Sequence, residues 1–156
     1  MGVKQQRREM TMMKPLVLLV DDEVPFVETM TKRLKKRDLV VNAAYSGQEA
    51  LDILDKHRNT DVVILDVKMP GMDGIETLEK IKKSYPLTEV VMLTGHATVE
   101  SAIEGMKKGA YDYLMKPCDI DQLMQKVEEA TQKKRVHEDK IKEAKVKEVM
   151  SNHGLA

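Results

Sequence analysis

Residues 61–74 read DVVILDVKMPGMDG. Val62, Val63, Ile64 and Leu65 form a short unbroken apolar run, the pattern of a strand buried on both faces of a parallel sheet. The run stops on a carboxylate, Asp66. Lys68 follows, and then Met69-Pro70-Gly71-Met72-Asp73-Gly74, where proline and two glycines force a loop before the next helical pattern. An acid at the carboxyl end of a buried strand stands where open α/β sheets place their ligands.

The same punctuation recurs on either side. Leu16–Val20 is a buried strand ending on Asp21-Asp22-Glu23. Pro25 suits the first turn of the helix that carries Phe26, Val27, Met30 and Leu34 to about Arg37. Asp22 and Glu23 complement that helix's positive end, and for Glu23 capping is the preferred role. Leu39–Ala44 reads as a shorter strand, and Ser46-Gly47 opens a helix with Ala50, Leu51 and Leu54 that ends at a solvated His57. After the central loop, Ile75, Leu78 and Ile81 mark a helix ending before Pro86, with Lys80, Lys82 and Lys83 in solvent. Val90–Leu93 is the fourth strand and ends on Thr94-Gly95-His96-Ala97, with Thr98 placed to cap the helix of Val99, Ala102, Ile103 and Met106. Tyr111–Met115 is the fifth strand, and it ends on Lys116-Pro117.

Five strand patterns alternating with helical ones imply an α/β fold, a doubly wound parallel sheet. Right-handed crossovers send every strand's carboxyl end to one edge. That edge collects Asp21, Asp22, Asp66, Thr94 and Lys116. Three carboxylates repel one another unless a hard cation neutralises them, and Mg2+ takes oxygen ligands. Asp66 is suited to accept a phosphoryl group as an acyl phosphate. Lys116 supplies a compact positive charge to a phosphoryl oxygen, and Thr94 a short donor that reaches it if its loop moves inward. That movement would make the site a switch as well as a reaction centre.

Composition narrows the alternatives. The 156 residues suit one domain with a real core, and 26 acidic residues balance 26 basic ones, so no bulk charge points to nucleic acid or an anionic membrane. No long apolar run or signal pattern is visible, and a cytoplasmic location is expected. The single cysteine, Cys118, excludes an internal disulfide. With 12 methionines and no tryptophan, the core is expected to be aliphatic with thioether filler. Residues 1–14 are polar and basic, without a clean period, and are expected to form a flexible N-terminal arm.

Four motifs together carry a resemblance: Leu19-Val20-Asp21-Asp22-Glu23, Leu65–Gly74, Leu93-Thr94-Gly95-His96-Ala97 and Tyr113-Leu114-Met115-Lys116-Pro117. With these in order at the strand ends, the chain resembles the receiver domain of bacterial two-component response regulators over about 15–130. Thr94 to Lys116 looks most like receivers of the nitrogen-regulation type. The resemblance implies a flavodoxin-like sheet of order 2-1-3-4-5 with five helices. It implies phosphoryl transfer to Asp66 from a sensor histidine kinase or phosphotransfer protein. It assigns Mg2+ to Asp21, Asp22, Asp66 and the backbone carbonyl of Lys68, and the phosphoryl group to Thr94, the Gly95 N–H and Lys116. Tyr113 matches the aromatic that rotates with the threonine, and Lys68 and His96 occupy positions that tune phosphoryl lifetime. The output surface is expected on the fourth helix, fifth strand and fifth helix, contacting a downstream protein target. That face or the C-terminal helix could also form a homodimer.

No glycine or proline interrupts the chain from Asp119 to Ser151. A helix is expected to run through this segment, with 131–156 as an extension projecting roughly 30 Å at 1.5 Å per residue. Ile120, Leu123, Val127, Ala130, Ile141 and Ala144 share a coiled-coil register, but Lys134, His137 and Glu148 occupy the same seam and weaken it. Neither a phosphate-binding loop nor a nucleic-acid platform is present, so no ATPase activity or direct nucleic-acid binding is expected. Two other classes stand against the switch. A phosphate hydrolase would carry a second aspartate two residues after the nucleophile, where Lys68 stands. A scaffold with an idle pocket would have no need of all five strand-end residues. A phosphate shuttle between partners is not separable from a contact switch on these residues.

Overall fold

In a computed structural model, which describes residues 14–154, five strands and five helices alternate along the chain. They are β1 (Leu16–Val20), α1 (Val24–Lys35), β2 (Val40–Ala44), α2 (Gly47–Lys56), β3 (Val62–Leu65), α3 (Gly74–Ser84), β4 (Glu89–Thr94), α4 (Val99–Lys107), β5 (Asp112–Met115) and α5 (Ile120–Asn152). The strands form one sheet of order β2-β1-β3-β4-β5, every pair parallel. This is the flavodoxin-like order expected from the sequence.

The pleat of the apolar runs divides the core in two. Val17, Leu19, Val62, Ile64, Val91 and Leu93 face one layer, where they meet Met30 and Leu34 of α1 and Leu123 and Val127 of α5. Their neighbours Leu18, Val20, Val63, Leu65, Val90 and Met92 face the other, against Leu54 of α2 and Ile75, Leu78 and Ile81 of α3. Successive side chains of a strand point to opposite faces, so a strand covered on both sides must be apolar at every position. Each such buried side chain contributes about 1.5–3 kcal/mol of transfer free energy. Met30, Met69, Met92 and Met124 supply the thioether filler.

Register brings the strand ends level. Val20 pairs with Ala44 on one side and Leu65 on the other, Leu65 with Met92, and Thr94 with Met115. Backbone bonds continue the ladder one step into the functional edge: the Asp21 N–H donates to Ala44, the Asp66 N–H to Val20 and the Lys116 N–H to Thr94.

Three local expectations are corrected. Glu23 occupies the N-cap of α1 but makes no side-chain capping bond; Asp21 Oδ1 accepts the Glu23 N–H instead, at 2.9 Å. Lys82 is not freely solvated: its Nζ donates to the carbonyls of Pro86 and Thr88 at 2.8 and 3.0 Å and holds the chain leaving α3. Lys134, expected on the coiled-coil seam, instead faces the domain. It is buried, with Nζ 3.2 Å from Asp61 Oδ1 and 2.9 Å from Glu138 Oε1. Arg135 Nη2 lies 3.1 Å from Asp61 Oδ2, which also accepts the Leu16 N–H. These bonds keep α5 on the domain one turn past Ala130, and every described residue from Asp139 onward is exposed. The part that leaves the body is therefore nearer 20 Å than 30 Å at 1.5 Å per residue. The expected arm at 1–14 lies outside the described residues, Lys14 excepted.

Candidate functional site

Asp66 is the centre of the strand-end edge. It is 3 % exposed, and its Oδ1 accepts the N–H of Val67 at 2.8 Å. Asp21, from β1, is 1 % exposed and Asp22 beside it is more open. One carboxylate oxygen from each of Asp21, Asp22 and Asp66 lies within 4.8 Å of the others. Three carboxylate oxygens at that spacing are a donor set suited to a hard divalent cation. The residues fit Mg2+.

Lys116 reaches into the same cluster from the end of β5. Its Nζ is 2.6 Å from Asp21 Oδ2 and 3.9 Å from the centroid of the Phe26 ring. Phe26 reads in sequence only as an apolar helix position. In the fold its ring forms one wall beside the ammonium, a cation–π contact that fixes the lysine over the pocket. The peptide bond between Lys116 and Pro117 is cis.

Burial pushes the Asp66 carboxyl above the ordinary carboxylate range. The Thr94 hydroxyl opposes that shift, the Asp21 charge reinforces it, and the Lys116 charge and the Val67 N–H oppose it. Thr94 is fully buried, and its Oγ1 accepts the His96 N–H at 3.0 Å. The Thr94 hydroxyl thus stands close enough to bear on the Asp66 carboxylate in this conformation. Gly95 is exposed and stands against the Lys116 side chain, with 4.0 Å between a Cβ built on Gly95 and Lys116 Cδ. Lys68 and His96 are exposed at the rim. Tyr113 is half-buried, with its hydroxyl 2.7 Å from Ser101 Oγ on α4.

Gly74 is a site residue that the sequence marked only as part of a turn. A Cβ there would stand 2.0 Å from the Asp66 carbonyl oxygen and 2.7 Å from Val67 Cα. Its N–H donates to the Val67 carbonyl at 2.7 Å. The loop is folded back so tightly that only glycine admits the start of α3 against the backbone of the acceptor aspartate.

The family profile described as the response regulator receiver domain matches residues 17–128. The chain belongs to that family. Among curated proteins it is 40% identical over 114 residues to the transcriptional regulatory protein ZraR of Salmonella typhimurium, covering 73% of this chain and 26% of that protein. It is 34% identical over 119 residues to the DNA-binding transcriptional regulator NtrC of Escherichia coli, covering 76% and 25%. The chain thus spans about a quarter of the length of these relatives. Among solved structures, a response regulator receiver domain from Clostridium thermocellum superimposes with a TM-score of 0.75 at 36% identity, covering 78% of this chain and 98% of the other. The likeness to NtrC agrees with the nitrogen-regulation type read from Thr94 to Lys116. This is a receiver domain of a two-component system, a signalling switch rather than a turnover enzyme by family. No described helix is long and apolar enough to cross a membrane.

Proposed function

We propose that this receiver accepts a phosphoryl group on Asp66 from a histidine kinase or phosphotransfer protein and converts its arrival into a change of the α4–β5–α5 face. Asp66 carries the reading: it is a carboxylate buried at the carboxyl edge of the sheet beside two further acids, a lysine and a threonine. An Asp66 oxygen attacks phosphorus, the P–N bond of the donor phosphohistidine breaks, and its electron pair leaves on the imidazole, which takes up a proton. Mg2+, held by Asp21, Asp22, Asp66 and the Lys68 carbonyl, supplies charge neutralisation for the transferring group. Lys116 exchanges its bond with Asp21 for one to a phosphoryl oxygen, and the Thr94 hydroxyl and Gly95 N–H donate to others. Lys68 and His96, on the rim, control the approach of water and so the lifetime of the acyl phosphate.

Residues 15–130 form the receiver proper, with the remainder of α5, to Asn152, as its helical extension. A downstream protein target meets the α4–β5–α5 face. By the names of ZraR and NtrC, the family's outputs include transcriptional regulation, and this receiver's signal belongs to that class.

Intact mass after acetyl phosphate and magnesium tests the reading. One added phosphoryl group is expected in the wild type, and none in Asp66→Asn or with EDTA. Lys116→Ala should still take the adduct but lose the spectral change that accompanies it. An adduct on Asp66→Asn, or neither an adduct nor beryllofluoride binding in the wild type, would refute the assignment.

A further inference from the structure

Tyr113 touches α4 at two points on one face. Its ring lies against Gly105, where a built Cβ would be 3.6 Å from Tyr113 Cδ2, and its hydroxyl reaches Ser101 Oγ, 2.7 Å away. Ser101 and Gly105 are one helical turn apart, so the ring lies along a track whose floor is the missing side chain and whose end is a hydroxyl. Ser101 is also half of the capping box that starts α4. The Ser101 N–H donates to Thr98 Oγ1 at 3.0 Å, and the Thr98 N–H donates to Ser101 Oγ at 3.1 Å. Ser101 Oγ further lies 3.1 Å from the Thr98 carbonyl and 2.9 Å from Thr98 Oγ1.

That hydroxyl is oversubscribed. A serine Oγ has one hydrogen to give and two lone pairs to receive. Four partners stand within reach: the Thr98 N–H, the Thr98 carbonyl, the Thr98 hydroxyl and the Tyr113 hydroxyl. Whichever way the protons are arranged, one partner goes without. The Tyr113 bond can therefore be exchanged for one inside the capping box with no net loss of hydrogen bonds at Ser101. The box begins four residues after Thr94, whose Oγ1 is tied to the intervening loop through the His96 N–H. A shift of Thr94 towards a group on Asp66 moves the loop that sets Thr98.

We propose that Ser101 is a positioning residue of the switch. It holds Tyr113 against the first turn of α4 in the resting protein, and it releases the ring when the loop after Thr94 moves, by closing its hydrogen bonds within the Thr98–Ser101 box. This rests on the phosphorylation reading above.

The test follows Tyr113 by NMR on protein labelled with 3-fluorotyrosine, the resonance assigned with Tyr113→Phe, before and after beryllofluoride with magnesium. Intact mass after acetyl phosphate is measured on the same samples. Ser101→Ala is expected to move the resting Tyr113 resonance towards its beryllofluoride position while still accepting the phosphoryl group. Ser101→Thr, which keeps a hydroxyl, is expected to restore the wild-type position. Thr98→Ala weakens the cap from its other side but removes a competitor for Ser101, so Tyr113 should stay at its resting position. A resonance unmoved in Ser101→Ala, or moved equally by Thr98→Ala, overturns the latch even though the wild type is phosphorylated. A wild type that takes neither phosphoryl group nor beryllofluoride overturns the phosphorylation reading, and the latch falls with it.

Discussion

Asp66 is held at a cost that its chemistry requires. Its folded-state pKa lies above the ordinary 3.8, chiefly through burial, with the Asp21 charge adding to the shift. The folded protein therefore binds an extra proton between the two values, and by linkage this stabilisation is fully present below 3.8 and lost as the pH rises through the folded value. At neutral pH the ionised carboxylate weakens the fold. Asp66→Asn removes the charge and keeps the shape, so in chelator at pH 7 its unfolding midpoint should lie above that of the wild type. The gap should close as the pH is lowered towards 3.8. A lower midpoint for Asp66→Asn at pH 7 would mean that Lys116 and Thr94 more than compensate the buried charge. At this scale the sequence was informative, because an acid that ends an unbroken apolar run is visible without any long-range knowledge. What it could not convey was the partner of each residue. The Phe26 ring beneath Lys116 and the Ser101 hydroxyl on Tyr113 depend on rotamers and helix placement, and neither leaves a mark in a local pattern.

Among the elements, the strands were legible and the anchoring of α5 was not. Buried parallel strands are apolar at every position, so their runs stand out, and their ends are punctuated by the functional residues. The attachment of α5 depends instead on pairs 73 and 74 residues apart: Lys134 and Arg135 with Asp61. A lysine in a helical pattern reads as solvated, and Asp61 read only as the start of a strand. In the fold Asp61 is 4 % exposed and binds both cations and the Leu16 N–H, tying β1, β3 and α5 at the edge opposite the site. Asp61→Ala takes one of two carboxylates from the buried Lys134 ammonium, leaving Glu138, and also takes a partner from Arg135 and the Leu16 N–H, and should cost about 3 kcal/mol in denaturant unfolding. The double change Asp61→Leu with Lys134→Met should recover most of that loss. It should fall short by about 1 kcal/mol, because the Leu16 N–H still lacks an acceptor. A double variant no more stable than the single one would show that the pairing of Asp61 with Arg135, and not the burial of Lys134, dominates the clamp.

For the molecule as a whole, the clamp separates a helix that belongs to the domain from one that does not. The apolar residues beyond it, Ile141, Val146, Val149 and Met150, are each more than 40% exposed. Val146, Val149 and Met150 share one arc of about 100°, but Ile141 lies outside it, so the apolar face does not run the length of the segment as a coiled coil needs. A helix this short, without tertiary contacts, is marginal in water. A chain ending at Lys140 should therefore unfold within about 2 °C of the full chain, since it loses only exposed surface. A chain ending at Ala130 loses Lys134 and Arg135, strands Asp61, and should lose about 3–5 kcal/mol. Backbone amides beyond Asp139 should exchange with solvent at nearly unprotected rates while those from Leu123 to Lys134 stay protected. The comparison is best made at two protein concentrations, before and after beryllofluoride. If the arm is unpaired, the small difference between the full chain and the chain ending at Lys140 is independent of both. A midpoint that rises with concentration only in the full chain, and only with beryllofluoride, would instead mean that switching brings two arms together and supplies the partner their scattered apolar residues lack in one copy.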